Sequence, residues 1–160
     1  MADQNPDNTN TATPSVAPRE AHQRAGTQTP NPSIFGTPIH TYTRAQALAD
    51  GELIDVTQPG KEAGFRCPVA ITRAVWSDCV EWSDQDTDRQ TYQDEAGRLW
   101  DVIWMAHLAA RRGGSETLFQ LRRVPRGGRG RMPRLVTLKM IAGPGDAGEL
   151  TITIMMKNED

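Results

Sequence analysis

The chain distributes its large apolar residues unevenly, and that distribution limits where a core can form. Residues 1–33 contain no Leu, Ile, Phe, Trp or Tyr, and Pro6, Pro14, Pro18, Pro30 and Pro32 interrupt them. So little apolar area cannot offset the entropy lost on ordering. All four Trp, all three Phe and both Tyr come later. The expectation is a disordered N-terminal tail over 1–33 and a single α+β domain over 34–160. A domain of that length can bury a sufficient core without disulfides or metal.

Order is expected to begin at Ile34-Phe35, the first large apolar pair. Thr43-Arg44-Ala45-Gln46 has the form of a capping box, and the short helix it opens stops at Gly51. Residues 52–56 read as a short strand, and Thr57 with Pro59 marks a further helical turn ending near Gly64. Pro68 suits the first position of a helix running to about Trp82, with Val69, Ile71, Val75, Trp76, Cys79 and Val80 mainly on one face. The start of that helix is ambiguous, because Val69-Ala70-Ile71-Thr72 suits a strand as well. The acidic stretch from Ser83 to Glu95 reads as a surface loop. Between Arg98 and Arg112, Leu99, Trp100, Ile103, Trp104, Ala106, His107 and Ala110 recur at helical spacing, and Gly113-Gly114 ends the pattern.

Beyond that point the period changes to that of strands, at 118–124, 135–141 and 150–155, with Gly/Pro-rich turns at 125–134 and 143–148. Short connections between consecutive strands favour an antiparallel arrangement. The fold expected is α+β: short helices followed by a three-stranded antiparallel β-meander, with the helices packed on one face. No apolar run approaches the roughly 20 residues that span a bilayer, and no basic segment leads into a hydrophobic one at the N-terminus. Two cysteines, Cys67 and Cys79, suit a reducing compartment, so a cytoplasmic protein without a membrane partner is expected.

The net charge of −2 conceals two stretches of opposite sign. From Trp76 to Asp101 eight acids face only Arg89 and Arg98, and from Arg111 to Lys139 nine bases face only Glu116. Held apart, the two stretches give the domain a strong dipole; brought together, they neutralise one another. The basic stretch centres on Pro125-Arg126-Gly127-Gly128-Arg129-Gly130-Arg131-Met132-Pro133-Arg134. Arginines on a glycine backbone can follow a phosphate chain, so Arg126, Arg129, Arg131 and Arg134, extended by Arg111, Arg112, Arg122 and Arg123, are the candidate contacts to nucleic acid or an acidic partner. No aromatic residue interleaves these arginines, so the loop alone gives no sign of base stacking. The plainer account is a solvated hairpin loop.

Other chemistry is thinly represented. The acidic stretch could imitate a phosphate backbone, although a solvated acidic surface explains it with less. His40, Cys67, Cys79 and His107 follow no zinc-site spacing, and neither a metal nor an organic cofactor is expected. His107 with Asp101 is the one pairing that resembles a general base and its orienting carboxylate; a core or boundary histidine is the bland alternative. No serine elbow, phosphate loop or dinucleotide fingerprint is present. Gly143-Pro144-Gly145-Asp146 needs no explanation beyond a tight turn. Of Trp76, Trp82, Trp100 and Trp104, some are expected in the core and one or two as an exposed anchor for a partner.

The run Ile39-His40-Thr41-Tyr42-Thr43-Arg44-Ala45-Gln46-Ala47-Leu48-Ala49-Asp50-Gly51-Glu52-Leu53-Ile54-Asp55-Val56 resembles the opening of an uncharacterised bacterial and phage family, a domain of unknown function. Three later segments resemble the same family: 68–76, then Gly97-Arg98-Leu99-Trp100-Asp101-Val102-Ile103-Trp104-Met105, then Val136-Thr137-Leu138-Lys139 through Ile152-Thr153-Ile154-Met155. The resemblance covers about residues 34–158. It implies a small protein of plasmids, integrative elements and phages, set among antirestriction and DNA-processing genes. The resulting expectation is a non-enzymatic binding protein of a mobile element that inhibits a host nucleic-acid-directed defence complex, of anti-CRISPR or antirestriction type. Its partner is then a host protein or protein–nucleic-acid complex. Two alternatives stand beside it: a direct DNA- or RNA-binding accessory protein using the Arg/Gly loop, and a small enzyme centred on His107.

Overall fold

The computed structural model describes residues 42–160. The expected tail, the start of order at Ile34-Phe35 and His40 lie outside them.

Thr43 caps the first helix, α1 (Arg44–Ala49), as its sequence requires: its hydroxyl accepts from the Gln46 amide, and the Gln46 side chain accepts from the Thr43 amide. Gly51, at φ 75°, turns the chain out of the helix into β1 (Leu53–Asp55). The next helix, α2 (Thr57–Ala63), ends at Gly64, whose φ of 109° is open chiefly to glycine.

The first departure from expectation follows. Residues 69–72 form a strand, β2 (Val69–Thr72), not the first turn of a long helix. Val69, Ala70 and Ile71 are each fully buried. A strand covered on both faces has no alternation, so its sequence cannot be told from a buried helical turn. The Thr72 hydroxyl then accepts from the Val75 amide and starts α3 (Arg73–Val75), which runs directly into a π-helical turn, Trp76–Val80. The second departure is the acidic stretch, where Ser83 and Asp86 form a reciprocal capping box for α4 (Asp84–Arg89). A longer helix follows, α5 (Glu95–Ala110), capped by the Asp94 carboxylate on the Gly97 amide. It starts three residues before the expected Arg98.

The remaining strands are β3 (Glu116–Arg123), β4 (Arg134–Pro144) and β5 (Leu150–Met156). They pair antiparallel in sequence order, so the expected meander exists, but as part of a larger sheet. The five strands are ordered β1-β2-β5-β4-β3. The free edge of β5 is taken by β2 in parallel, with Val69 opposite Ile152 and Ile71 opposite Ile154. Strand β1 then adds antiparallel to β2. The three-stranded antiparallel sheet is thus corrected to a five-stranded mixed one, because the long connection from β2 to β5 carries a helical crossover that permits parallel pairing.

The core lies between one face of this sheet and the helices. Val102, Ile103, Ala106 and Ala109 of α5 pack with Phe119, Leu121, Leu138, Met140 and Ile154 of the strands. Ile71, Ile103, Leu138 and Ile154 are among the largest side chains fully removed from water, and each such residue contributes about 1.5–3 kcal/mol. On the far side the Arg44 guanidinium ties α1 to β5 through Thr153 Oγ1 (2.7 Å) and the Ile152 carbonyl (3.2 Å). Glu159 closes the end of β5 by accepting from Thr72 Oγ1 (2.9 Å) and the Met156 amide (2.5 Å). Among the described residues no helix is long and apolar enough to cross a membrane.

Candidate binding surface

Folding brings the acidic and basic stretches together, and the contact removes part of each. Arg123 donates from Nε (2.9 Å) and Nη2 (2.6 Å) to the Asp78 carboxylate. Arg126 pairs with Glu81 and lies 3.8 Å from Asp86. Both arginines were candidate partner contacts; both are half-buried and engaged internally.

The Arg/Gly loop is anchored rather than loose. Asp86 sits beneath it, 4% exposed, and its Oδ1 accepts from the Gly127 amide at 2.8 Å. Its Oδ2 accepts from the Ser83 hydroxyl at 2.7 Å. The Ser83 hydroxyl first, and the Gly127 amide after it, hold the Asp86 carboxyl below the usual carboxylate range. One turn on, buried Gln90 donates from Nε2 to the Pro125 carbonyl (2.9 Å) and the Gly130 carbonyl (2.5 Å). These two side chains fix the backbone of 125–130. Neither was singled out from sequence, although Ser83-Asp84-Gln85-Asp86 carries the spacing of a capping box with Asp in the last place.

With the loop pinned, Arg122, Arg129, Arg131 and Arg134 stand exposed at one end of the β3–β4 hairpin, where Arg123 is opposite Arg134 and Arg122 opposite Leu135. Among the described residues none of the four meets a carboxylate within 4.0 Å. Arg111 and Arg112 are exposed as well, but they follow α5 near the other end of β3, roughly 20 Å away by strand rise. The eight expected contacts therefore do not make one patch. Four form the hairpin cluster, two are spent on ion pairs and two lie apart.

One aromatic side chain of α5, Trp104, borders a groove with one member of this cluster, Arg122. Trp100 and Trp104 stack with ring centroids 5.9 Å apart and are 39% and 43% exposed. A groove of about 380 Å³ runs from Trp104 past Met105 and Gln120 to Arg122 and Leu135. The stacking continues along the helix from Trp104 to His107 (6.0 Å), and His107 meets Phe65 edge-on at 5.4 Å. Trp82, by contrast, is buried under the Arg98 guanidinium, 4.7 Å from its ring.

The expected His107–Asp101 pair is not formed. Six residues apart on one helix, the two side chains leave in directions about 120° apart. His107 lines a separate groove with Phe65 and Cys67, whereas Asp101 borders the Trp104 groove. Burial raises the Cys67 thiol above its ordinary value, so it is no activated nucleophile. Among the described residues no three His, Cys, Asp or Glu side chains are grouped to hold a metal ion. The Gly143–Asp146 turn has a structural duty that the sequence did not disclose: the Asp146 carboxylate accepts from the Arg44 and Ala45 amides, both at 2.8 Å, and so holds the start of α1.

A family model described as a family of unknown function, DUF6573, matches residues 34–160. No curated protein and no solved structure matches the chain.

Proposed function

The chain belongs to DUF6573, a family of unknown function, and we propose that it is a non-enzymatic binding protein whose hairpin tip engages a nucleic-acid strand. The observation that carries this reading is a cluster of four exposed arginines at the hairpin end, unpaired among the described residues, one of which, Arg122, shares a groove with Trp104 of the stacked, half-exposed Trp100–Trp104 pair. Arginines neutralise phosphates without regard to sequence. Indole faces receive bases, which are free to stack only where a strand is unpaired. Asp86 and Gln90 support the same reading, since they hold the loop in a fixed shape before any partner arrives.

The setting implied by the sequence resemblance supplies a use for such a surface. On a plasmid or phage it covers the nucleic acid of a host defence complex and so inhibits it. Phosphate mimicry by the acidic stretch fits less well, because Asp78, Glu81 and Asp86 are occupied by Arg123, Arg126 and the loop backbone. The enzyme reading is weakened by the separation of His107 from Asp101, which border different grooves.

The test is titration of a labelled single-stranded oligonucleotide and its duplex at several salt concentrations, read by anisotropy and by tryptophan quenching. Four phosphate contacts predict a log–log salt slope of roughly −3 for the single strand. Reversing Arg129, Arg131 and Arg134 to Glu abolishes binding while thermal unfolding is unchanged. Trp104→Ala weakens the single strand more than the duplex. Absence of binding at low salt, or unimpaired binding by the triple variant, overturns the proposal.

A further inference from the structure

At the other end of α5 lies a groove of about 660 Å³ that the strand-binding proposal leaves unused. Its floor is the buried Phe65, Met140 and Ile152, and Leu150, 58% exposed, stands at its edge. This volume and apolar lining are those of a small-molecule site. Two cations border it, Arg66 and Arg111, both exposed and neither within 4.0 Å of a carboxylate among the described residues. Glu149, the acid in the same lining, is engaged within its own turn. Its Oε2 accepts from the Ala147 amide at 3.0 Å, and Oε1 lies where a side chain on Gly145 would have to go. Arg111 is also the C-cap of α5, so its charge offsets the negative end of that helix.

We propose that this groove binds an apolar carboxylate, with its hydrocarbon body on Phe65, Met140 and Ile152 and its anionic head between Arg66 and Arg111. An apolar cation is rejected by the same two arginines, and a neutral apolar molecule forgoes them. Each further methylene buried in the groove strengthens binding about fourfold. The proposal stands apart from nucleic-acid binding, since no arginine of the hairpin cluster borders the groove.

The groove contains its own reporter. Cys67 lines it and is half-buried, whereas Cys79 is 1% exposed in the core. The full chain is treated with N-ethylmaleimide at mildly alkaline pH, and modification of each cysteine is followed by peptide mass spectrometry. Decanoate is expected to slow Cys67 alkylation at least tenfold at saturation, with octanoate requiring about fifteen times the concentration. Decyltrimethylammonium leaves the rate unchanged. Reversing both cations in R66E/R111E removes protection by decanoate, read as the ratio of liganded to unliganded rate within that variant. Filling the groove with A110F removes it independently of charge. No protection by decanoate, equal protection by the cationic amphiphile, or full protection in R66E/R111E each overturns the proposal.

Discussion

Replacing Asp86 by alanine tests the claim that one buried carboxylate shapes the arginine loop. The substitution removes the acceptor of the Gly127 amide (2.8 Å), of the Ser83 hydroxyl (2.7 Å) and of the Ser83 amide (3.2 Å). Half of the capping box survives, because the Asp86 amide still donates to the Ser83 hydroxyl. Hydrogen bonds to a charged group contribute about 1.5–3 kcal/mol each, and loss of a cap about 1 kcal/mol. Gly127 is exposed, so its freed amide regains water and its bond counts at the lower end. The expected destabilisation is about 2–4 kcal/mol at neutral pH, a large part of the 5–15 kcal/mol typical of a whole domain. The pH dependence has a definite sign. A carboxyl held below its ordinary value stabilises the fold above about pH 4 and loses that contribution as pH falls through its folded pKa. Wild type and Asp86→Ala therefore converge in stability below about pH 4. Urea unfolding at neutral and acid pH measures the first effect, and trypsin cleavage after Arg126, Arg129 and Arg131 measures release of the loop. A variant within ~0.5 kcal/mol of wild type, with its loop cleaved no faster, refutes the anchoring argument.

Gly64→Ala combines a φ of 109° with a methyl 2.9 Å from the His107 ring; a loss of about 1–3 kcal/mol is expected by thermal or urea unfolding. Arg98→Lys keeps the charge but cannot reproduce the fork that reaches the Val80 carbonyl (3.0 Å), Gln93 Oε1 (3.1 Å) and the Val124 carbonyl (3.2 Å), so urea unfolding should show about 2–3 kcal/mol lost. Cys79 is pushed up to about 12, by burial first and then by the Asp78 carboxylate. The folded state keeps a thiol proton that the unfolded chain releases, so stability declines with rising pH from about 9, a trend that Cys79→Ala should flatten in alkaline unfolding curves.

How much of this was readable beforehand depended on whether the signal was local. The Thr43–Gln46 box, the stops at Gly51 and Gly64, and the helical stripe of α5 are written in a few neighbouring residues, and the structure follows them. Strand β2 was not decidable, because Val69-Ala70-Ile71 is buried on both faces, suits helix and strand alike, and gains its parallel partner only about eighty residues later. The α4 helix was hidden by its composition: Asp84, Asp86 and Asp88 read as a solvated loop until Ser83 is recognised as a cap. The binding surface shows the same division. The arginines were visible as a run, but the loss of Arg123 and Arg126 to Asp78 and Glu81 was not. Nor was the arrival of Trp104 beside Arg122, since both depend on which helix crosses which strand.

The parallel pairing of β2 with β5 also has a consequence for the order of assembly. During synthesis the β1–β2 pair is made early, yet the edge it needs belongs to the last of the five strands to leave the ribosome. Until then Val69 and Ile71 lack the neighbours that cover them, and contacts of such long sequence separation form slowly. Helix α5 and the β3–β4 hairpin can meet first, since their contacts are closer in the chain. A nascent chain halted before Leu150 therefore holds the complete arginine hairpin but no sheet to join its two halves. Such a species exposes unpaired strand edges and is a substrate for chaperones and proteases.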